Sequence, residues 1–220
     1  NCRENRRAKT CIMKLKSKIP LFAIAISFVL ICALGYRVWW VNTHALTIPE
    51  EIYQMGEWVP LDGNFHYSSS ENTKGYSIRI TEIALTTYDG YLEKHGITPQ
   101  HPNAHGNQTS VIDVTIEVKN DREETEPVGG IDFLGAVLIP QANNTYYICD
   151  LGNENSLWPL VQPNITTSRI AIKPHTSYVL HVPYVVNLTG EEIYRNPITD
   201  TTFDLLVSRL PVEKRIRVSL

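Results

Sequence analysis

Cysteine is scarce in this chain wherever a disulfide would help to hold a domain together. The sequence has 220 residues and four cysteines, and only Cys149 follows residue 41. Small extracellular domains of animals commonly depend on several disulfides, because their cores are too small to be stable alone. An internal disulfide is therefore excluded for residues 42–220, and the composition favours a bacterial domain stabilised by its hydrophobic core. Cys149 is expected to be a small buried hydrophobe.

The sequence also lacks the motifs that carry catalysis or phosphate binding. Residues 68–70 are three serines in a polar turn, without the strand-turn-helix arrangement of a nucleophile elbow. Gly129 and Gly130 are not followed by the Lys and Ser/Thr of a phosphate-binding loop. We therefore expect no catalytic residue, no bound cofactor and no enzymatic activity.

Three histidines form the one group in the sequence that could hold a metal ion. His95, His101 and His105 fall in a segment rich in Pro, Gly and Asn. Zinc sites use histidine, but they need a rigid frame and short, defined spacings. We therefore interpret the segment first as a solvated loop and keep metal binding as the alternative. His181 is expected to be an ordinary strand histidine with its hydrogen bonds satisfied.

Basic residues are rare after residue 18. The first eighteen residues hold seven basic side chains and one acidic one, whereas residues 19–220 hold thirteen basic and twenty-two acidic side chains. The acidic balance of the larger part argues against nucleic acid as a partner, because binding to phosphates needs a basic surface. The basic tail, residues 1–18, is expected to stay in the cytoplasm, since positive charge that flanks a span is retained on that side.

One long uncharged run separates these two parts. No charged side chain occurs from Ile19 to Tyr36, and as a helix the segment 19–41 would reach about 30 Å, the thickness of a bilayer core. We predict a transmembrane helix at 19–41, in contact with the lipid bilayer. The residues expected at the membrane interfaces are Lys18, Tyr36, Arg37, Trp39 and Trp40.

A cleaved signal peptide is the alternative for the same run, since it also combines a basic start with an apolar middle. Residues 33–35, Ala-Leu-Gly, offer a cleavage site of the small-x-small type. The run is longer than a signal peptide needs and bulky aromatic residues follow it, which favours an uncleaved anchor. Arg37 is expected to reach from the helix end to the outer headgroups. A functional charge within the membrane is the alternative for this residue.

After a predicted polar stalk at 42–54, strand-like runs alternate with turn residues. The clearest run is 111–118, in which apolar and polar residues alternate with the period of a strand. We expect its apolar residues in the core and its polar residues in solvent. The apolar set is Ile112, Val114, Ile116 and Val118, and the polar set is Asp113, Thr115 and Glu117.

The remaining runs extend the same pattern. In 76–85 the alternation slips after Thr81, which predicts a bulge. Turn chemistry predicts hairpins that join 131–138 to 146–149 and 169–172 to 177–186, and two final strands at 202–210 and 215–220. Residues 87–109 are expected to form a long polar loop with a helical turn at 91–94. Seven to nine short strands predict an all-β domain at 55–220, an immunoglobulin-like antiparallel β-sandwich.

Five segments carry a resemblance to a known family. They are YQMGEWVPL, KGYSIRI, SVIDVTIEVKN, HTSYVLHVPY and SRLPVEKRIRVSL, in that order over nearly all of 50–220. Together they resemble a bacterial family of membrane-anchored surface proteins with a domain of unknown function, common in Firmicutes. That family is similar to the immunoglobulin-like sandwich of a secreted mycobacterial immunogenic protein. The resemblance implies a fold and a location, and no activity.

These expectations combine into a single-pass protein in the membrane of a Gram-positive type bacterium, with its N-terminus inside and its β-domain outside. The expected function is binding of a protein or another ligand at the cell surface, through the loops between strands. A structural alternative is a bitopic subunit whose helix joins an envelope or export complex. A chemical alternative is an unrecognised metal-dependent enzyme that uses the histidine loop at 95–105.

Overall fold

The structure is a computed structural model, and it describes residues 18–45, 47–98, 106–123, 129–142, 145–152, 156–186 and 197–220, with side chains from residue 22 onward. The chain divides into two compact units, Asn1–Thr47 and Ile48–Leu220. The expectation of a basic cytoplasmic tail falls on residues that lie almost wholly outside the described ranges.

The described residues of the first unit form the helix α1 (Lys18–Thr43). Pro20 lies in its first turn, where the missing N–H has no intrahelical partner to lose. At the other end Thr43 Oγ1 donates a hydrogen bond to the Trp39 carbonyl at 2.8 Å, and the His44 ring stacks on Trp40. By length and composition, Phe22–Thr43 is able to cross a membrane, and a signal sequence near an N-terminus meets the same criteria.

The second unit is mostly β-sheet. Its strands are β1 (Glu50–Gln54), β2 (Val59–Pro60), β3 (Tyr76–Thr87), β4 (Ser110–Asn120), β5 (Ile131–Asp132), β6 (Leu138–Pro140), β7 (Tyr147–Cys149), β8 (Arg169–Ile170), β9 (Thr176–Val186), β10 (Thr202–Ser208) and β11 (Glu213–Ser219). Two short helices, α2 (Tyr88–Lys94) and α3 (Leu157–Val161), and a 3-10 turn at Ser69–Glu71 complete the elements of its described residues.

Nine of the strands form one sheet in the order β1-β11-β10-β6-β7-β9-β4-β3-β2, and β5 pairs with β8 in a separate ribbon. The pairs are antiparallel except β1 with β11, which is parallel. The expected antiparallel architecture is therefore confirmed. The expected hairpin between 169–172 and 177–186 is wrong, because Ile170 of β8 pairs with Ile131 of β5. The expected strand at 131–138 is likewise interrupted after Asp132.

Local features of the sheet follow the sequence pattern closely. The pairing of β3 with β4 shifts between Ile80 and Glu82, so the predicted bulge is confirmed. The pairing of β6 with β7 and the two final strands, β10 and β11, are also confirmed, and Ile216 and Val218 of β11 are buried. The segment predicted as a stalk contains β1, so the strands begin at Glu50.

The two ends of the sheet are joined where the chain passes from β1 to β2. Met55 N–H donates to the Arg217 carbonyl of β11 at 3.1 Å, and Gly56 N–H donates to the Ile80 carbonyl of β3 at 2.9 Å. Gly56 has a φ of +88°, a left-handed conformation that favours glycine. The sheet therefore folds around one continuous core, which includes Trp158 and Phe133 in an edge-to-face contact with ring centroids 5.5 Å apart. Cys149 belongs to this core, as expected.

The structure corrects the expectation that the polar residues of β4 face solvent. Val114 and Ile116 face the core, so the predicted alternation is confirmed. Asp113 and Thr115, however, are only 1% and 8% exposed. The reason is α2, which lies over this second face in the segment predicted as a polar loop and contributes Tyr91 and Leu92 to a second apolar cluster. Each buried apolar side chain of that kind is worth about 1.5–3 kcal/mol, enough to hold a short helix in place.

Lys214 of β11 provides a test of the contact between the two ends of the sheet. Its buried ammonium donates to the Pro60 carbonyl of β2 at 2.6 Å and lies 3.3 Å from Asp62 Oδ2. Lys214→Met keeps the aliphatic stem and leaves that carbonyl without its donor. We expect the free energy of unfolding, measured by urea titration, to fall by about 2–4 kcal/mol.

Lys119→Met is the matched control. Its ammonium pairs with Asp121 at 2.7 Å, and both side chains are about half exposed. Exposed pairs of this kind are worth little, so the control should lose less than about 1 kcal/mol. Equal losses in the two variants would contradict the role of Lys214 as a contact between β11 and β2.

Candidate functional site

The outward face of β6 and β7 is more apolar than the solvent face of a sheet usually is. Leu138 and Tyr147 point into the core, whereas their neighbours Ile139 and Ile148 are half-buried on the other side. When one face of a sheet is exposed to solvent, the residues at these outward positions are normally polar. A pair of isoleucines here indicates a surface suited to contact with another apolar surface.

These isoleucines form the floor of a groove of about 710 Å³. Its walls include large exposed side chains, with Tyr67 58% and Leu134 57% exposed. We call it the aromatic groove and define it by Tyr67, Leu134, Ile139, Tyr146, Ile148 and Arg209. The guanidinium of Arg209 lies 6.0 Å from the centre of the Tyr67 ring, within the range of a cation–π contact.

A buried carboxylate holds the Tyr67 wall in place. Glu71 Oε1 accepts hydrogen bonds from the backbone N–H groups of His66 and Tyr67 at 3.1 and 2.8 Å. Beside this turn, Phe65 pairs with Leu210 through hydrogen bonds of 2.8 and 3.0 Å. The backbone on both sides of Tyr67 and Arg209 is therefore fixed before any partner arrives.

His66 lies buried beneath the Leu134 wall. A Cβ at Gly135 would come within 2.5 Å of the His66 side chain, so only glycine allows this approach. Burial lowers the pKa of His66 to about 4, and neither ring nitrogen has a hydrogen-bond partner among the described residues. A neutral imidazole therefore supports the groove at ordinary pH.

A second feature lies where α2 covers the sheet. His95 caps the end of α2, Asp113 is on β4 and His181 is on β9, and one ligand atom from each lies within 4.8 Å of the others. We call these three residues the His-Asp cluster. His95 Nε2 is 3.9 Å from Asp113 Oδ2, and the rings of His95 and His181 have centroids 4.7 Å apart. Two imidazoles and a carboxylate can bind a divalent transition metal or exchange protons.

The surroundings of the cluster fix its histidines. Tyr91 packs against the His95 ring at 4.8 Å and donates through its hydroxyl to the His181 carbonyl at 2.8 Å. Gln162 Oε1 accepts a hydrogen bond from the backbone N–H of His181 at 2.9 Å. His181 Nδ1 lies 3.4 Å from the hydroxyl of Thr115, its cross-strand partner. Tyr91 of α2 therefore positions the His95 ring and Thr115 of β4 positions the His181 ring, while Tyr91 and Gln162 fix the backbone of His181.

The cluster also contacts a cation, the ammonium of Lys94. Its ammonium lies 2.7 Å from Asp113 Oδ2 and 3.3 Å from Glu82 Oε1. The hydrogen bond to Asp113 raises the pKa of Lys94, so the ammonium stays charged. Burial lowers the pKa of His95, and the nearby His181 lowers it further. Lys94 is therefore a cation and His95 a neutral imidazole at ordinary pH.

The structure groups the predicted histidines differently from the sequence interpretation. His95 is brought together with Asp113 and His181, whereas His101 and His105 lie outside the described residues. Asp113 was expected in solvent and His181 was expected to be an ordinary strand histidine. The one signal that could have linked them was their place on neighbouring strands in the same outward phase, and the sequence does not show which strands are neighbours.

The residues predicted for the membrane interfaces remain predictions. Tyr36, Arg37, Trp39 and Trp40 are exposed in the last two turns of α1, and the rings of Tyr36 and Trp39 have centroids 5.7 Å apart. Lys18 begins the helix, with its side chain outside the described atoms.

The described chain is thus an apolar N-terminal helix and a mostly β-sheet domain with a groove and a His-Asp cluster. The chain belongs to the family described as "Domain of unknown function (DUF5028)", whose profile matches residues 50–214. The expected domain of unknown function is thereby confirmed. The chain is also similar to an uncharacterized β-sandwich protein from Clostridium difficile 630, with 10% identity and a TM-score of 0.37 over 80% of this chain and 100% of that one. No curated protein matches.

Buried His66 predicts a dependence of stability on pH. The unfolded chain takes up a proton on this residue near pH 6.5, whereas the folded chain does so near pH 4, so acid favours unfolding between these values. The contribution of neutral His66 is complete above pH 6.5 and is lost as the pH falls towards 4. We expect this loss to amount to about 2–3 kcal/mol.

His66→Phe isolates this contribution from that of the carboxyl groups. The variant keeps a ring of similar size and has no group to protonate at this position. Urea unfolding at pH 7 and pH 4 should show a smaller acid loss in the variant, by about 2–3 kcal/mol. Identical pH profiles in the variant and the parent would contradict the buried neutral state of His66.

Proposed function

We propose that this protein is a membrane-anchored binding protein, and that its β-domain binds a protein partner outside the cell through the aromatic groove. The observation that carries the proposal is the set of large exposed side chains, Tyr67, Leu134 and Tyr146, above an apolar floor. Contiguous exposed apolar surface of this kind marks interaction sites in soluble domains. Isolated apolar residues on a surface would carry no such meaning.

The residue types of the groove fit a protein partner. Tyrosine and arginine are over-represented among the residues that dominate binding energy at protein interfaces, and Tyr67 and Arg209 lie side by side here. Because Glu71 and the Phe65–Leu210 pairing already fix their backbone, binding would cost little ordering of the chain.

The location rests on α1 and the charge of its flank. The helix has the length and composition of a span, and the basic residues before it favour a cytoplasmic N-terminus. The β-domain would then stand on the surface of a Gram-positive type cell, as in the membrane-anchored family that the sequence resembles. The aromatic residues at the end of α1 support an outer interface there.

The finer assignment of the fold, an immunoglobulin-like sandwich similar to that of the secreted mycobacterial protein, is also a proposal. Antiparallel strands of β-sandwich length around one core support it. The single continuous nine-stranded sheet departs from the two separate sheets of that fold.

A photo-crosslinking amino acid at Leu134 tests the groove in intact cells that carry the full-length protein. We expect one dominant protein adduct, and we expect Tyr67→Ala combined with Arg209→Ala to reduce it about tenfold or more, since each hot-spot residue contributes about 2 kcal/mol. Trypsin added outside the cells should degrade the β-domain together with its adduct.

The same amino acid at Tyr178 is the control, since this exposed tyrosine of β9 lies outside the groove. An identical adduct at both positions, or one that survives the double substitution, would contradict binding through the groove. Replacing residues 19–41 with an unrelated apolar helix should leave the adduct in place. Its loss would favour the alternative of a bitopic subunit that assembles through its span.

A further inference from the structure

We propose that the His-Asp cluster, His95, Asp113 and His181, is a binding site for a divalent transition metal ion of the zinc type. The three side chains come from α2, β4 and β9 and converge beneath the helix that covers the outer face of the sheet. This site shares no residue with the aromatic groove. The metal-site proposal therefore does not depend on the proposed partner binding.

The first argument is that the cluster contains buried polar atoms that the protein does not satisfy. His95 Nε2 and Asp113 Oδ1 are both buried without a hydrogen-bond partner among the described residues. Asp113 is 1% exposed, so solvent does not reach its carboxylate freely. Each buried group left without a partner costs about 1–3 kcal/mol, and folded proteins contain few of them. Two such atoms side by side indicate that a ligand completes the site.

The second argument is the chemistry of the donor set. Two imidazole nitrogens and one carboxylate oxygen are ligands that zinc accepts, with a fourth position open to water or a substrate. Calcium and magnesium prefer sites built from oxygen alone, so they fit this cluster poorly.

The third argument is the frame around the ligands. The hydroxyl of Thr115 lies 3.4 Å from the His181 ring, and Tyr91 packs against the His95 ring, in the way that outer residues orient the histidines of metal sites. Ligands at about 2.0–2.1 Å from a tetrahedral zinc ion lie about 3.3 Å apart. The present separations of up to 4.8 Å therefore require a closure of up to about 1.5 Å. His95 can supply it, because it is the C-cap residue just after α2 and precedes Gly96, which has a φ of +69°.

Lys94 acts as the competitor of the metal ion. Its ammonium neutralises Asp113 through Oδ2 at 2.7 Å and leaves Oδ1 for a ligand. A second cation at the same carboxylate is repelled by this charge. The Lys94 side chain is 41% exposed, so it can turn into solvent when a metal ion binds. Removal of the ammonium should therefore strengthen metal binding, an effect that an adventitious surface site would not show.

Calorimetric titration with zinc chloride tests the site on the purified full-length chain in detergent, without a histidine tag. Cys2, Cys11 and Cys32 are replaced by Ser so that their thiols do not compete. We expect the parent to bind one zinc ion. His181→Gln should reduce the affinity for zinc at least about tenfold, and Lys94→Met should raise it about threefold to tenfold. His175→Gln is the control, since this exposed histidine lies in the turn before β9, and its affinity should equal that of the parent.

Thermal unfolding with and without zinc supplies a second measurement that also reports whether each variant folds. Zinc that binds only the folded chain should raise the melting temperature of the parent and of His175→Gln, and should raise that of Asp113→Asn far less. Affinity that is unchanged in His181→Gln, or that falls in Lys94→Met, would overturn the proposal. Absence of zinc binding by the parent at millimolar concentration would overturn it as well.

Discussion

Strand β4 is covered on both of its faces, and the arrangement of the rest of the β-domain depends on this. One face of this strand packs Val114 and Ile116 into the main core, and the other carries Asp113 and Thr115 under α2. Because β9 is the neighbour of β4 in the sheet, its His181 lies close to Asp113 of β4 and to His95 at the end of α2. The histidine of β9 and the carboxylate of β4 meet for this reason.

Enclosing polar side chains in this way lowers the stability of the domain. The Lys94–Asp113 ion pair and the hydrogen bond from Tyr91 to the His181 carbonyl offset part of the loss, while His95 Nε2 and Asp113 Oδ1 have no hydrogen-bond partner within the described part of the chain. An apolar residue in place of Asp113 would pack under α2 without that cost. Departures from the lowest-energy arrangement concentrate at functional sites, which is why the cluster carries our metal-site proposal.

The sequence predicts those features that depend on neighbouring residues along the chain. The alternation in 111–118, the phase slip after Thr81 and the run 19–41 correspond to β4, the bulge of β3 and α1. Features that depend on distant pairing could not be predicted. β1 has the polar sequence EEIYQ and is a strand because β11 pairs with it, and the pairing of β5 with β8 joins residues far apart in the chain. The His-Asp cluster depends on both strand order and the position of α2.

Thiol labelling measures the covering of β4 most directly. In a full-length chain whose four native cysteines are replaced by Ala, Thr115→Cys and Glu82→Cys place one thiol each at opposite positions of the β3–β4 pair. Glu82 is exposed and Thr115 is buried. A water-soluble maleimide should label Cys at position 82 rapidly and Cys at position 115 only when the domain opens. Equally fast labelling of both positions would show that the outer face of β4 is open to solvent and would contradict the account.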